Sequence, residues 1–253
     1  MTTPRREFLW RAALIGSAAV TTPLEALWRP HDAGRLAPDD PGYGPLQPTL
    51  DENTGLPLLQ LPEGFRYRSF GWTEDPLDSG ARTPGGHDGM AAFPGPEGTV
   101  ALIRNHELSP GKAFDAAMAY DPAAGGGTTT VIFDPATGLV AGSRASLAGT
   151  LRNCAGGATP WNSWLTCEET TLGPEDNPAL RFGHGYVFDV PVDGRPDMEP
   201  LLAMGRFVHE AVAVDPESGH IYETEDQRRA GLYRFSPTSR RRLTEGGRLQ
   251  MLA

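Results

Sequence analysis

Along most of this chain, apolar and polar side chains alternate in short runs. From Gly85 onward, TVALIRNHE, TTTVIFD, SWLTCEE, GYVFDV, EAVAVD, HIYETED and GLYRFS are rich in β-branched and aromatic residues and bounded by Gly, Pro or Asp. A period of two closed by turn formers predicts β-strands joined by tight turns, and helices are expected to be few. Residues 31–62 carry little periodicity and much Pro, Gly and Asp, which predicts an irregular N-terminal strap; toward its end the run LLQLPEGFRYRSF turns strand-like. The body of the fold is expected over residues 63–253.

One local pattern occurs twice, VIFDPATG at Val131–Gly138 and VAVDPESG at Val212–Gly219, each an apolar strand running into an Asp-Pro turn that closes on Gly. The two turns lie roughly 80 residues apart, close to two β-propeller blades of roughly 40 to 50 residues each. A sandwich uses the same hairpins, so this repeat alone leaves both architectures open. Composition supports the all-β class: 31 Gly, 24 Pro and only 21% charged residues favour many turns over long helices.

The formal net charge of -10 argues against nucleic acid or an anionic membrane surface as partner, because both are bound through basic patches. Surplus carboxylates either keep a protein soluble or hold metal cations, and only their positions distinguish the two. At the start, Arg5-Arg6 precedes Phe8-Leu9 and the weakly apolar run Ala12–Val20, the pattern of a twin-arginine export signal over residues 1–30. The run is too short to span a bilayer, which needs about 20 apolar residues. The expected partner is the twin-arginine export machinery, the destination periplasmic or extracellular, with no stable membrane insertion. Cys154 and Cys167 could pair in such a compartment, although each stands beside groups that suggest other work.

Three stretches carry candidate chemistry. In Arg104-Asn105-His106-Glu107, strand alternation sends Asn105 and Glu107 to one face, two hard oxygen donors suited to calcium. In LRNCAGGATPWNSWLTCEE, Leu151–Glu169, the Cys154 thiolate is a soft ligand for a transition metal such as iron, and Glu168-Glu169 are hard donors; Cys167 and the two Trp read as core. In GRFVHEAVAVDPESGHIYETED, Glu210 is the better ligand candidate, His209 reads as a hydrogen-bonded histidine, and Glu223 and Glu225 share a face. Asp88 in GGHDGM is a lesser calcium candidate, and AGGGTTT, Ala124–Thr130, reads as a plain turn before a strand because it lacks the lysine and helix of a phosphate loop. No Ser-His-Asp order, HExxH or CxxC pair is present.

The segments RNHE, AGGGTTT, LAGTLRNCAGGATPWNSWLTCEE and GRFVHEAVAVDP, in this order, closely resemble the PhoX family of alkaline phosphatases, over about Leu59 to Phe235. The resemblance implies a β-propeller of four-stranded blades, export by the twin-arginine route, and hydrolysis of phosphate monoesters with iron and calcium as cofactors. It implies catalytic roles for Cys154 and Glu210, contact of Asn105 and Arg152 with substrate, and metal ligation by Asn105, Glu107, Cys154, Glu168, Glu169 and Glu210. Family members run longer and carry an Arg-Pro-Glu segment in their later half, which this sequence lacks. The expectation is therefore a partial propeller, with a non-catalytic calcium-binding propeller fragment as the alternative function.

Overall fold

A computed structural model describes residues 42–194 and 196–252. The expected export signal and the first part of the strap lie outside these residues. The chain divides into two units between Ser69 and Phe70.

In the first unit, β1 (Gln47–Thr49) pairs antiparallel with β2 (Leu59–Leu61). A polar hub organises the chain around this ribbon. Asp51, only 1% exposed, accepts hydrogen bonds from the amides of Asn53, Thr54 and Ser69 and from the hydroxyls of Thr54 and Ser69. Five donors offset the loss of water around a buried carboxylate.

The second unit is built from three antiparallel sheets, each a meander whose strands neighbour one another in chain order. The first sheet comprises β3 (His87–Pro94), β4 (Val100–His106), β5 (Gly126–Asp134) and β6 (Leu139–Thr150). The second comprises β7 (Asn153–Ala158), β8 (Ser163–Glu168) and β9 (Val187–Pro191). The third comprises β10 (His209–Val214), β11 (Ile221–Glu225), β12 (Leu232–Pro237) and β13 (Gly247–Met251). Helix is confined to single 3₁₀ turns among the described residues, none long enough to cross a membrane. The first strands of the sheets adjoin, β7 lying between β3 and β10. Consecutive meanders with adjoining first strands give the all-β class that the alternation predicts, in the incomplete propeller-type arrangement that the resemblance implies.

Two apolar layers hold the sheets together. Phe93, Ala101, Ile103 and Leu147 of the first sheet meet Trp164, Phe188 and Val190 of the second. On the other side, Leu165, Cys167 and Val187 meet Val212, Ile221 and Phe235 of the third. Alternation along β8 therefore supplies both layers, Trp164 to one and Leu165 and Cys167 to the other, which is why the strand is buried along its whole length. Each large apolar side chain buried this way contributes about 1.5–3 kcal/mol.

Two sequence expectations change here. Two of the AGGGTTT glycines, Gly126 and Gly127, lie inside β5, where a Cβ on Gly127 would stand 2.2 Å from the Leu147 carbonyl oxygen, so close strand packing explains them. The two Asp-Pro turns do form alike, with Asp134 and Asp215 each capping the amide two residues on and Gly138 and Gly219 at positive φ. However, the first joins the last two strands of its sheet and the second joins the first two of its own. The spacing that matched two blades therefore relates unequal positions.

Candidate metal centre

The repeat that the Asp-Pro turns fail to mark appears in the sheets themselves. Each first strand breaks register with its neighbour near its start: between His87 and Met90 in β3, between Asn153 and Gly156 in β7, and between His209 and Val212 in β10. A bulge of this kind interrupts the ladder and re-aims a side chain. The residues it displaces begin with Asp88, Cys154 and Glu210. Each second strand is followed at once by an acid whose amide closes the ladder: Glu107 to Gly86 O at 2.7 Å, Glu169 to Arg152 O at 2.9 Å, and Asp226 to Val208 O at 3.1 Å. Each sheet thus offers one bulge residue and one terminal carboxylate at the same end.

Packing between first strands brings these ends together. A Cβ on Gly89 would lie 2.8 Å from Cys154 O, and one on Gly157 would lie 2.2 Å from Val212 O, so glycine permits both close approaches. The half-buried Cys154 thiol lies 3.7 Å from Glu210 Oε1, and the donor atoms of Cys154, Glu169 and Glu210 all fall within 4.8 Å of one another.

Electrostatics identify the wider cluster. Burial pushes the Cys154 thiol up to about 12, helped by the negative charges of Asp88, Glu210, Glu169 and Glu107. Burial also raises Glu169 to about 7, followed by a hydrogen bond shared with Asp226 and the charges of Glu210, Glu107 and Asp226. The groups that act most strongly on both are all carboxylates. Like charges gathered in partial burial destabilise one another, and a cation reverses that balance by favouring thiolate and carboxylate forms. One soft donor among hard oxygens suits a transition metal beside calcium, so these residues fit the cofactors the resemblance implies.

Of the sequence-predicted residues, the structure gathers Cys154, Glu169 and Glu210, with exposed Glu107 acting on them from the end of β4. Glu168 is directed elsewhere. Its fully buried carboxylate accepts from Leu151 N at 2.8 Å, His184 Nδ1 at 2.6 Å, Gly185 N at 2.8 Å and Tyr186 N at 3.2 Å, and those bonds clamp the segments at 151 and 184–186 to the end of β8. Asn105 is likewise spent inside the protein, because its Oδ1 accepts from Trp164 Nε1 and Thr166 Oγ1 while its Nδ2 donates to Cys154 O and Ala155 O. All four hydrogen-bonding positions of that carboxamide are engaged. Arg152 is exposed in a left-handed conformation, φ 47°, with its backbone tied to Leu108 and Glu169; its guanidinium is not among the groups that shift Cys154 most. His209 is hydrogen-bonded and buried, its Nε2 3.0 Å from Glu223 Oε2.

Asp226 stands outside the ligand set implied by resemblance, and Asp88 was only a lesser candidate. The usable signal was the acid closing each of TVALIRNHE, SWLTCEE and HIYETED, at one position in three like hairpins.

Comparison with known proteins identifies the family. The family model for alkaline phosphatase PhoX matches residues 41–134 and 122–253. Among solved structures, Pseudomonas fluorescens PhoX in complex with vanadate, a transition state analogue, is similar at 18% identity and a TM-score of 0.49. That match covers 72% of this chain and 50% of the other, so the chain spans about half the length of that structure. No curated protein matches. With the family model extending over all of its described residues, the chain belongs to the PhoX alkaline phosphatase family.

Proposed function

We propose that this chain carries the metal centre of an exported phosphomonoester hydrolase that uses iron and calcium. The observation that supports it is the convergence of one thiol and five carboxylates, Asp88, Glu107, Cys154, Glu169, Glu210 and Asp226, from the same end of three sheets. Cys154 and Glu210 are the donors for iron, and the remaining carboxylates are hard donors for calcium. When bound, such cations supply Lewis acidity and positive charge to a phosphate ester in displacement.

The chain's own groups set the terms for that chemistry. The bulges hold Asp88, Cys154 and Glu210 at fixed directions, so the site is organised before substrate arrives. Glu169, raised to about 7 by burial and by its hydrogen bond with Asp226, can hold a proton that a bound cation would displace. The half-buried position of Cys154 limits water around the thiol, and Arg152 and Glu107 stand exposed where the site meets solvent. Export through the twin-arginine machinery to the periplasm or extracellular space belongs to the same proposal, because that route carries folded protein.

Elemental analysis of exported protein for iron and calcium, alongside hydrolysis of a chromogenic phosphate monoester with and without chelator, tests this reading. Bound iron and calcium with chelator-sensitive turnover are expected, and Cys154→Ala should lose the iron and the turnover together. Calcium without iron or turnover would overturn the hydrolase reading in favour of a non-catalytic calcium-binding protein.

A further inference from the structure

The β7 bulge takes two residues out of the regular ladder. The Cα register pairs Asn153 with Glu168 and then Gly156 with Thr166, so Cys154 and Ala155 lose their regular place opposite β8. Buried carbonyl groups without partners are costly, about 1–3 kcal/mol each. Here both carbonyls are met from the neighbouring sheet: Asn105 Nδ2 donates to Cys154 O at 3.1 Å and to Ala155 O at 2.8 Å. The carboxamide is itself fixed from the other side, by Trp164 Nε1 at 2.9 Å and Thr166 Oγ1 at 2.8 Å. Thr166 also accepts from Asn153 Nδ2 at 3.0 Å, so the hydrogen-bonded chain returns to the residue that opens the bulge.

We propose that Asn105 is a positioning residue for the metal centre, its carboxamide holding the two bulge carbonyls and so fixing the direction of the Cys154 thiol toward Glu210. This rests on the reading of Cys154 as a metal ligand, and it assigns Asn105 a role distinct from ligation or substrate contact. The side chain is fully buried, and all four of its hydrogen-bonding positions are engaged. Partners that orient a ligand from behind tune metal affinity without touching the metal.

The test compares wild type with Asn105→Ala after chelator treatment, by two measurements. In metal-free protein, alkylation of Cys154 by iodoacetamide should be several-fold faster in the variant, because the released bulge exposes the thiol. Fully buried Cys167 should stay unmodified in both, which reports that the fold is intact. In a cobalt(II) titration the variant should bind roughly 10- to 100-fold more weakly, with less thiolate-to-cobalt absorption per bound ion. Should Asn105→Ala fail to fold, Trp164→Phe removes one donor to Asn105 and keeps the aromatic core; smaller changes in the same directions are expected. A folded variant with wild-type alkylation rate and wild-type cobalt affinity would overturn the proposal. Wild-type protein without thiolate-to-cobalt absorption would instead count against the metal reading of Cys154, and the alkylation comparison would still decide whether Asn105 holds the bulge.

Discussion

Glu168 and Glu169 are adjacent, chemically alike and opposite in use. Glu168 lies inside β8, where its oxygens gather three amides and His184, whereas Glu169 follows the strand and turns into the acidic cluster. Glu168→Gln should therefore cost about 3–5 kcal/mol in urea unfolding measured in chelator, the range for breaking a buried charged network. The folded fraction of that variant should keep its cation stoichiometry; lost stoichiometry with unchanged stability would mean Glu168 is a ligand after all. Asp51 offers a pH-dependent case in the first unit. Burial raises its carboxyl, but hydrogen bonds from Ser69, Thr54 and Asn53 outweigh that and hold it at about 2 against an ordinary 3.8. A folded value below the unfolded one means the unfolded chain takes up protons first, so stability is full above pH about 4 and is lost as pH falls toward 2. Amide hydrogen exchange at residues 51–69 should accelerate over that window in wild type. In Asp51→Asn the acceleration should be flat with pH, at a lower starting protection.

Between residues and molecule, the bulged hairpin is the unit that recurs, and its tightest packing is at glycine. Gly157→Ala places a Cβ 2.2 Å from Val212 O, which forces β7 away from β10 and so separates the strands carrying Cys154 and Glu210. A loss of about 1–3 kcal/mol in chemical unfolding is expected, with weaker cation binding. Gly142→Ala, whose Cβ would meet nothing nearer than Asp78 at 3.4 Å, should change neither and serves as the control. Seven strands, β4, β5 and β8 to β12, were legible from alternation or from short apolar runs closed by turn formers, whereas β3, β6, β7 and β13 carry too many small or exposed residues to stand out. The bulges were not legible, because a register shift is a relation between two strands and leaves no mark in either alone. Alternation rightly separated Asn105 from Arg104 and His106, yet it grouped Asn105 with Glu107. The first inserts between sheets while the second lies beyond the end of the strand. Composition likewise gave no way to tell Glu168 from Glu169, since the difference rests on the amides of residues 151, 185 and 186 that only the fold brings near.

For the whole molecule, the consequence is that acidity has been concentrated where sheets meet. Of a net charge of -10, the carboxylates of Asp88, Glu107, Glu169, Glu210 and Asp226 surround one thiol, and they come from hairpins widely separated in sequence. An unfolded chain cannot assemble that set, so cations binding there favour the folded state by nearly their full binding free energy. At a free concentration 100-fold above the dissociation constant the gain is about 2.7 kcal/mol. For a domain of this size, that corresponds to a rise of roughly 5–10 °C in melting temperature. Thermal melts should therefore fall by that amount when chelator is added and recover when iron and calcium are restored. The double variant Cys154→Ser, Glu210→Gln removes a donor from each of two sheets and relieves part of the repulsion. Its metal-free form should melt at or above the metal-free wild type, and restored cations should move it little. If the wild type melts at one temperature with and without cations, the acidic cluster is a solvated surface feature and the three hairpins meet for packing alone.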